Sequence, residues 1–408
     1  MPPNPAQDTN RAADAATRGT VPEVLGAFLK LGLTSFGGPV AHLGYFRTEF
    51  VERRRWLDDK SYSDLVALCQ FLPGPASSQV GMALGLQRAG WLGALAAWAG
   101  FTLPSAMALV LFAFGVARWS GVADSGAVHG LKVAAVAVVA QAVWGMARTL
   151  CPDRLRAGIA VLAALLVLAV PAAVGQVAAI VLGGLVARWT LQLNHLPPAQ
   201  HLNYGVSRRV GVLLLALFGV LLVLLPALAA MTGSMAVSAV SVFYQAGALV
   251  FGGGHVVLPL LQAGVVPPGW VGNDAFLAGY GAAQAVPGPV HLCRVPRGAV
   301  ARALGGWVGA LVLLLAIFAP AFLLVAGALP FWESLRQRDG VQSAMGGINA
   351  SVVGVLAAAL YDPVWTSAIH SKADFGLALA AFGLLVYGRV SPVLVVAGTA
   401  LGGWILAL

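Results

Sequence analysis

With 408 residues, 59% of them hydrophobic and 10% charged, and a mean hydropathy of +0.85, the chain lies far outside the range of soluble globular proteins. Its net charge of +9 is modest for this length and sits mostly in loops, which suits loop orientation in a membrane or an anionic cargo and gives no nucleic-acid patch. Cys69, Cys151 and Cys293 share no metal spacing and cannot all pair, so neither a disulfide framework, a metal centre nor a cofactor site is expected.

Residues 1–20 are polar, rich in Ala, Asp and Thr, and lack an apolar core, which reads as a short disordered tail without a cleavable signal. Apolar, charge-poor segments of about 20 residues, enough to cross the hydrocarbon of a bilayer, then recur at 24–46, 62–84, 91–117, 129–149, 155–171 and 173–190. A polar connector at 191–209, with two prolines and Arg208-Arg209, precedes a span at 210–230 that has no counterpart in the first half. The second series runs 237–261, 275–292, 304–329, 345–361, 374–388 and 390–408. The expected fold is an all-α polytopic membrane protein of about thirteen transmembrane segments. Its first repeat is 21–190, its connector and unpaired span 191–236, and its second repeat 237–408.

The duplication is carried by landmarks in one order. Phe36-Gly37-Gly38-Pro39 returns as Phe251-Gly252-Gly253-Gly254, Trp56 as Trp270, and Gln70-x-x-Pro73-Gly74-Pro75 as Gln284-x-x-Pro287-Gly288-Pro289. Gly90-Trp91 returns as Gly306-Trp307, and Pro104 as Pro320. An odd number of crossings between equivalent points would invert the halves. Re-entrant hairpins at the Pro-Gly-Pro segments would instead leave them parallel. Loop charges pull both ways. Arg47, Arg53, Arg54, Arg55 and Lys60 crowd 47–60 while 262–274 has no Lys or Arg, as inversion requires. Yet Arg148, Arg154 and Arg156 share a side with Arg53–Arg55 only in the hairpin arrangement. Inversion is the expectation carried forward.

A proline inside a helix removes a backbone hydrogen bond and clashes with the preceding turn. In hydrocarbon such broken backbone survives only against protein or a watery cavity. The Pro-Gly-Pro runs therefore suggest half-helices meeting at membrane depth, whose N-termini present unpaired amides and partial positive charge to an anion. Broken helices at matching places in two repeats point to a transporter's binding site. The candidate binding residues are Gly37, Gly38, Pro39, Gln70, Pro73, Gly74 and Pro75 in the first copy. In the second they are Gly252, Gly253, Gly254, His255, Gln284, Pro287, Gly288 and Pro289. The bland reading makes these packing kinks and helix contacts. Lys30 and Lys132 lie in apolar segments and are candidates for function or for snorkelling to the interface. His42 and His255 could titrate near neutrality and couple to protons. Arg88 could draw anions into a vestibule, and Ser77, Ser78 and Gln79 could bond an oxyanion.

These motifs, and above all Gly279-Tyr280-Gly281-Ala282-Ala283-Gln284-Ala285-Val286-Pro287-Gly288-Pro289, resemble the long, two-domain members of the chromate ion transporter superfamily over about residues 22–408. The resemblance implies a multi-pass carrier of the bacterial inner membrane that exports chromate from the cytoplasm, with sulfate as the isosteric anion and the proton-motive force as driver. It admits a homodimer. Composition and spacing alone stop at a secondary transporter with an anion site, and leave open an oxyanion uptake carrier, an anion channel or, from another class, an integral-membrane oxyanion reductase. A reductase needs a redox cofactor site, and no paired cysteines or glycine-rich strand-turn-helix are present.

One stretch departs from the family. After Pro289 an apolar run similar to Phe-Thr-Phe-Ala-Ala-Tyr-Leu-Gly is expected, where the chain has Val290-His291-Leu292-Cys293-Arg294-Val295-Pro296-Arg297-Gly298. A one-base shift in a permitted coding restores that run, so 290–298 reads as a local frameshift. His291, Cys293, Arg294 and Arg297 are accordingly assigned no function, the alternative being a basic binding loop.

Overall fold

The computed structural model describes residues 19–35, 38–118, 126–170, 173–191, 204–250, 257–283, 306–332 and 338–406, and every regular element among them is helical. Five helices are long and apolar enough to cross a membrane.

The first repeat opens with four short arms. Helix α1 (Val21–Thr34) starts at a Thr20/Glu23 capping box, which satisfies two of its open amides, and runs inward to Ser35. Helix α2 (Gly38–Phe46), continued by a π-helical turn (Arg47–Arg53), returns towards the end where α1 starts. Phe28 meets the rings of Phe46 and Phe50 at 5.4 and 4.8 Å, and Lys30 reaches Glu49 at 3.2 Å. Helix α3 (Asp59–Phe71), capped by Asp58, runs inward again beside α2, with Arg47 on Asp59 and the Tyr62 hydroxyl donating to Leu43 O. Leu72-Pro73-Gly74-Pro75 turns the chain into α4 (Ala76–Arg118). Its regular dihedrals break at Ala89 and Gly90, the latter with φ +65°. There α4 doubles back, since Gly85 lies against the backbone of Gly93, a contact no straight helix allows. The first arm of α4 returns to the outer end, where Arg88 pairs with Glu23 and lies 5.3 Å over the Trp56 ring. The second arm then runs the full depth of the fold.

The segment 24–46, expected as one span, is therefore a hairpin, and so is 62–84. In each, the chain reverses within a run whose apolar composition alone looks continuous. The described part of the second repeat folds alike. Helix α9 (Met235–Ala248) and α10 (Val257–Val265) fold back so that Gly264 lies against Val242, and α11 (Asn273–Ala283) runs inward after Trp270.

Behind the arms stand the longer helices α5 (Gly126–Leu150), α6 (Arg154–Ala169), α7 (Ala173–Thr190) and the unpaired α8 (Arg208–Thr232). The second repeat adds α12 (Gly306–Ala328), α13 (Asp339–Ala359), α14 (Lys372–Val386) and α15 (Pro392–Leu406). Equivalent contacts recur. Gly32 lies against Gly100 and Phe101, as Gly247 lies against Ile317. Gly130 of α5 presses on Thr399 of α15, as Gly347 of α13 presses on Gly183 of α7. Each repeat thus packs its own α5 or α13 against the last helices of the other. Lipid tails are as apolar as leucine, so close backbone approach at small residues, not hydrophobic burial, holds such contacts. The second arm of α4 and its equivalent α12 run antiparallel, with Trp91 on Phe322 and Trp98 on Phe318.

Candidate functional site

The inner ends of the arms meet. Gly74 of the first repeat has φ +126°, a region essentially reserved for glycine, and its N–H donates to Val250 O of the second repeat at 2.5 Å. Val250 immediately precedes the second Phe-Gly-Gly-Gly motif. Gln79, fully buried, turns its Nε2 onto Pro73 O at 2.8 Å and so braces the Pro-Gly-Pro turn from inside. The first arm of α4 begins at Ala76, so its opening amides, Ser77 and Ser78 among them, have no carbonyl a turn earlier.

Around this helix start lies a buried polar patch. His42 is 2% exposed, its Nδ1 stands 3.4 Å from Ser77 Oγ, and its ring meets Phe101 edge-on at 5.1 Å. Ser35, Ser78, Thr102 and Ser105 are also buried. The side-chain oxygens of Ser35, Ser78 and Thr102, and Oε1 of Gln79, have no hydrogen-bond partner among the described residues. Free hydroxyls and open N-terminal amides are hydrogen-bond donors, the groups from which an oxyanion accepts.

At the outer end of the same arms the buried carboxylate of Glu49 collects Arg54 at 2.9 Å, Lys30 at 3.2 Å and Arg53 at 3.4 Å. One negative charge facing three positive ones leaves this end of the arms positive, which raises the local concentration of anions.

Of the residues singled out from sequence, Pro73, Gly74, Pro75, His42, Ser77, Ser78 and Gln79 come together. Gln70 is exposed, and the amide that braces the turn is that of Gln79. Lys30 is half-exposed on Glu49, and Lys132 pairs with Asp274 at 2.9 Å across the two repeats. Arg88 ties the two hairpins of the first repeat together through Glu23 and Trp56. Gly38 and Pro39 fall in the first turn of α2. Gly37, Gly252, Gly253, Gly254, His255, Gln284, Pro287, Gly288, Pro289 and the segment 290–298 lie outside the described residues. Sequence reasoning missed Ser35 and Thr102. The available signals were that Ser35 directly precedes Phe36-Gly37 and that Thr102 stands two residues before Pro104.

The sequence model of the chromate transporter family matches the chain twice, over residues 22–189 and 237–404. The chain belongs to the chromate transporter family. It is 30% identical over 428 aligned positions to a chromate transport protein of Pseudomonas aeruginosa, covering 97% of this chain and 96% of that one. A chromate transport protein of Cupriavidus metallidurans is 28% identical, again with 97% and 96% covered. A probable chromate transport protein of Synechococcus elongatus is 28% identical over 87% of each. No solved structure matches the chain. This chromate transporter family member is a multi-pass membrane protein and a transporter, not an enzyme. The two matched stretches are the two structural repeats described above.

Proposed function

We propose that the chain is a secondary transporter that exports chromate from the cytoplasm across the bacterial inner membrane, driven by the proton-motive force, with sulfate as a competing cargo. The observation that carries this reading is the junction of the two repeats. There the broken backbone at Gly74 meets Val250 beside a helix N-terminus and unpartnered buried hydroxyls.

The topology proposed with it has nine crossings and four re-entrant hairpins in place of thirteen spans. The second arm of α4, then α5, α6, α7 and α8, make five crossings between equivalent points, an odd number, so the repeats are inverted even though the Pro-Gly-Pro segments are hairpins. The antiparallel run of α4 and α12 supports this. The same path gathers Arg53, Arg54, Arg55, Arg88, Arg148, Arg154, Arg156, Arg188, Arg208, Arg209 and Arg338 at one end, against Arg118, Lys132 and Lys372 at the other among the described residues. Positive loops face the cytoplasm. The positive cluster at Glu49 then faces the cytoplasm, where a chromate exporter loads.

Cells expressing the chain are expected to tolerate more chromate because they accumulate several-fold less of it. The check is cell-associated chromium together with the rate of chromate disappearance. Normal accumulation with faster conversion to the trivalent form would contradict the export reading.

Cys151 reports the topology without an introduced residue. It is half-buried in the loop between α5 and α6, and burial pushes its thiol up, outweighing the Arg156 charge that lowers it. An impermeant thiol reagent should label Cys151 in everted vesicles and not in intact cells, faster as pH rises towards the raised value. Labelling in intact cells would reverse the orientation.

A further inference from the structure

Successive residues of α5 each meet a helix of the second repeat. His129 Nε2 stands 2.7 Å from Asp374 Oδ1 of α14, and Gly130 lies on the backbone of Thr399 of α15. Leu131 meets Gly281 of α11, and Lys132 pairs with Asp274 at the start of α11. His129 opens the membrane-crossing part of α5, at the end opposite the arginine-rich one. Of these contacts the first alone changes with a proton near neutral pH, where imidazole gains and loses one.

The geometry sets where that proton goes. Asp374 is buried, and its Oδ2 accepts from the backbone amides of His370 and Ser371 at 3.1 and 2.9 Å, closing the capping box that starts α14. A carboxylate filled in this way acts as an acceptor, so His129 Nε2 carries its hydrogen towards Oδ1 and the basic lone pair is that of Nδ1. The cap accounts for Oδ2, and Oδ1 is turned to a ring of the other repeat. The His129 side chain is 32% exposed, so solvent reaches it. The exposed His370 ring stacks on it at 6.2 Å and bonds Ser367 O at 3.2 Å. Ser367 Oγ accepts from Asn273, and Asn273 Oδ1 from Gln262, which ties the cluster to the hairpin arms α10 and α11.

The remaining charges are placed so that Asp374 is the carboxylate on the ring. Lys132 is matched by Asp274, and Lys372 of α14 is exposed. Tyr280 of α11 is buried, while Tyr361 and Asp362 of the π-helical turn Leu360–Trp365 are exposed. Helix α15 has no titratable side chain, and α13 has Asp339 alone, at its far end.

We propose that His129, held by Asp374 across the two repeats, is the site that binds the driving proton, taken up on Nδ1 from the periplasmic side. This rests on the proton-driven reading above and names its coupling group. A hydrogen bond from a charged donor is roughly twice as strong as a neutral one, so the proton tightens the contact of α5 with α14. It thereby favours the conformation in which the repeats meet here, and such a difference is what lets a ligand shift a conformational equilibrium. Rocking of one repeat against the other that opens this contact takes the carboxylate from the ring and releases the proton.

The test uses everted vesicles with membrane levels matched by immunoblot. Labelled chromate uptake driven by an imposed pH gradient, with the lumenal pH followed by a dye, reads coupled transport. Exchange of labelled for unlabelled chromate at uniform pH reads the carrier without net proton movement. His129→Gln keeps an amide donor for Asp374 and takes up no proton, whereas His129→Arg keeps a permanent ion pair and releases none. Each should lower gradient-driven uptake about tenfold or more, the size of a typical coupling between two sites. Exchange should stay within about twofold of wild type in both. Wild-type gradient-driven uptake in either variant, or loss of exchange together with uptake, overturns the proposal and makes the pair a tie between helices. Wild-type chromate uptake that moves no proton overturns the proton-driven reading instead.

Discussion

Gly74→Leu is expected to lower chromate transport by at least a hundredfold while the protein still reaches the membrane. At φ +126° a side chain is strained whatever space surrounds it, and here there is little. A Cβ would stand 2.7 Å from Gln79 Nε2 and 3.2 Å from Ala321 Cβ. A leucine must displace the amide that braces the turn, and with it the N–H that bonds Val250 O. The damage is confined to an inner turn between arms that are capped and packed independently, so insertion should survive. Gly74→Ala has the same backbone strain with less bulk and should fall between the two. Transport rates per unit of membrane-inserted protein are the check, and a fully active Gly74→Leu protein would show that this turn does not shape the anion path.

Gly130→Leu should act at an earlier stage and prevent accumulation of folded protein. Gly130 lies directly on the backbone of Thr399 and Ala400, so any side chain drives α5 away from α15. Overpacking a closely fitted contact costs about 1–3 kcal/mol even when atoms can shift, and here the obstacle is main chain. Gly347→Leu makes the mirrored insult against Gly183 and Ala187 and should fail in the same way. Gly145 lies on the same helix as Gly130 with open space around it, so Gly145→Leu is the control and should accumulate normally. Detergent-solubilised chromatography of tagged variants would separate these outcomes. Equal monodisperse yields of the Gly130 and Gly145 variants would contradict the exchanged packing of the two repeats.

The duplication was legible because it is written in helix-breaking residues, whose positions a membrane fold tolerates only where backbone finds partners. The hairpins were less legible. Hydropathy over 24–46 or 62–84 reports that a segment is apolar and says nothing of the direction in which the chain leaves it. The charges of Arg148, Arg154 and Arg156 held the missing information, since they demanded hairpins while the bare loop at 262–274 demanded inversion. The topology proposed above, with the unpaired α8 and re-entrant hairpins, satisfies both. Lys30 looked like an isolated membrane charge because its partner Glu49 lies nineteen residues away on the returning arm. Ser35 and Thr102 were invisible for a different reason. A lone hydroxyl in an apolar helix ordinarily bonds its own backbone, as Thr399 does, and only coordinates distinguish one that does not. The exchange of α7 and α15 between repeats had no signal either, because stripes of glycine and alanine look alike on every helix.

The most direct measurement is uptake of labelled chromate into everted inner-membrane vesicles containing the protein, energised by respiration. Accumulation above the external concentration, abolished by an uncoupler and competed by sulfate, is the result predicted for proton-driven export of an oxyanion. Chromate that only equilibrates with the medium, at a rate indifferent to the uncoupler, would contradict it and mark the protein as a passive anion pathway.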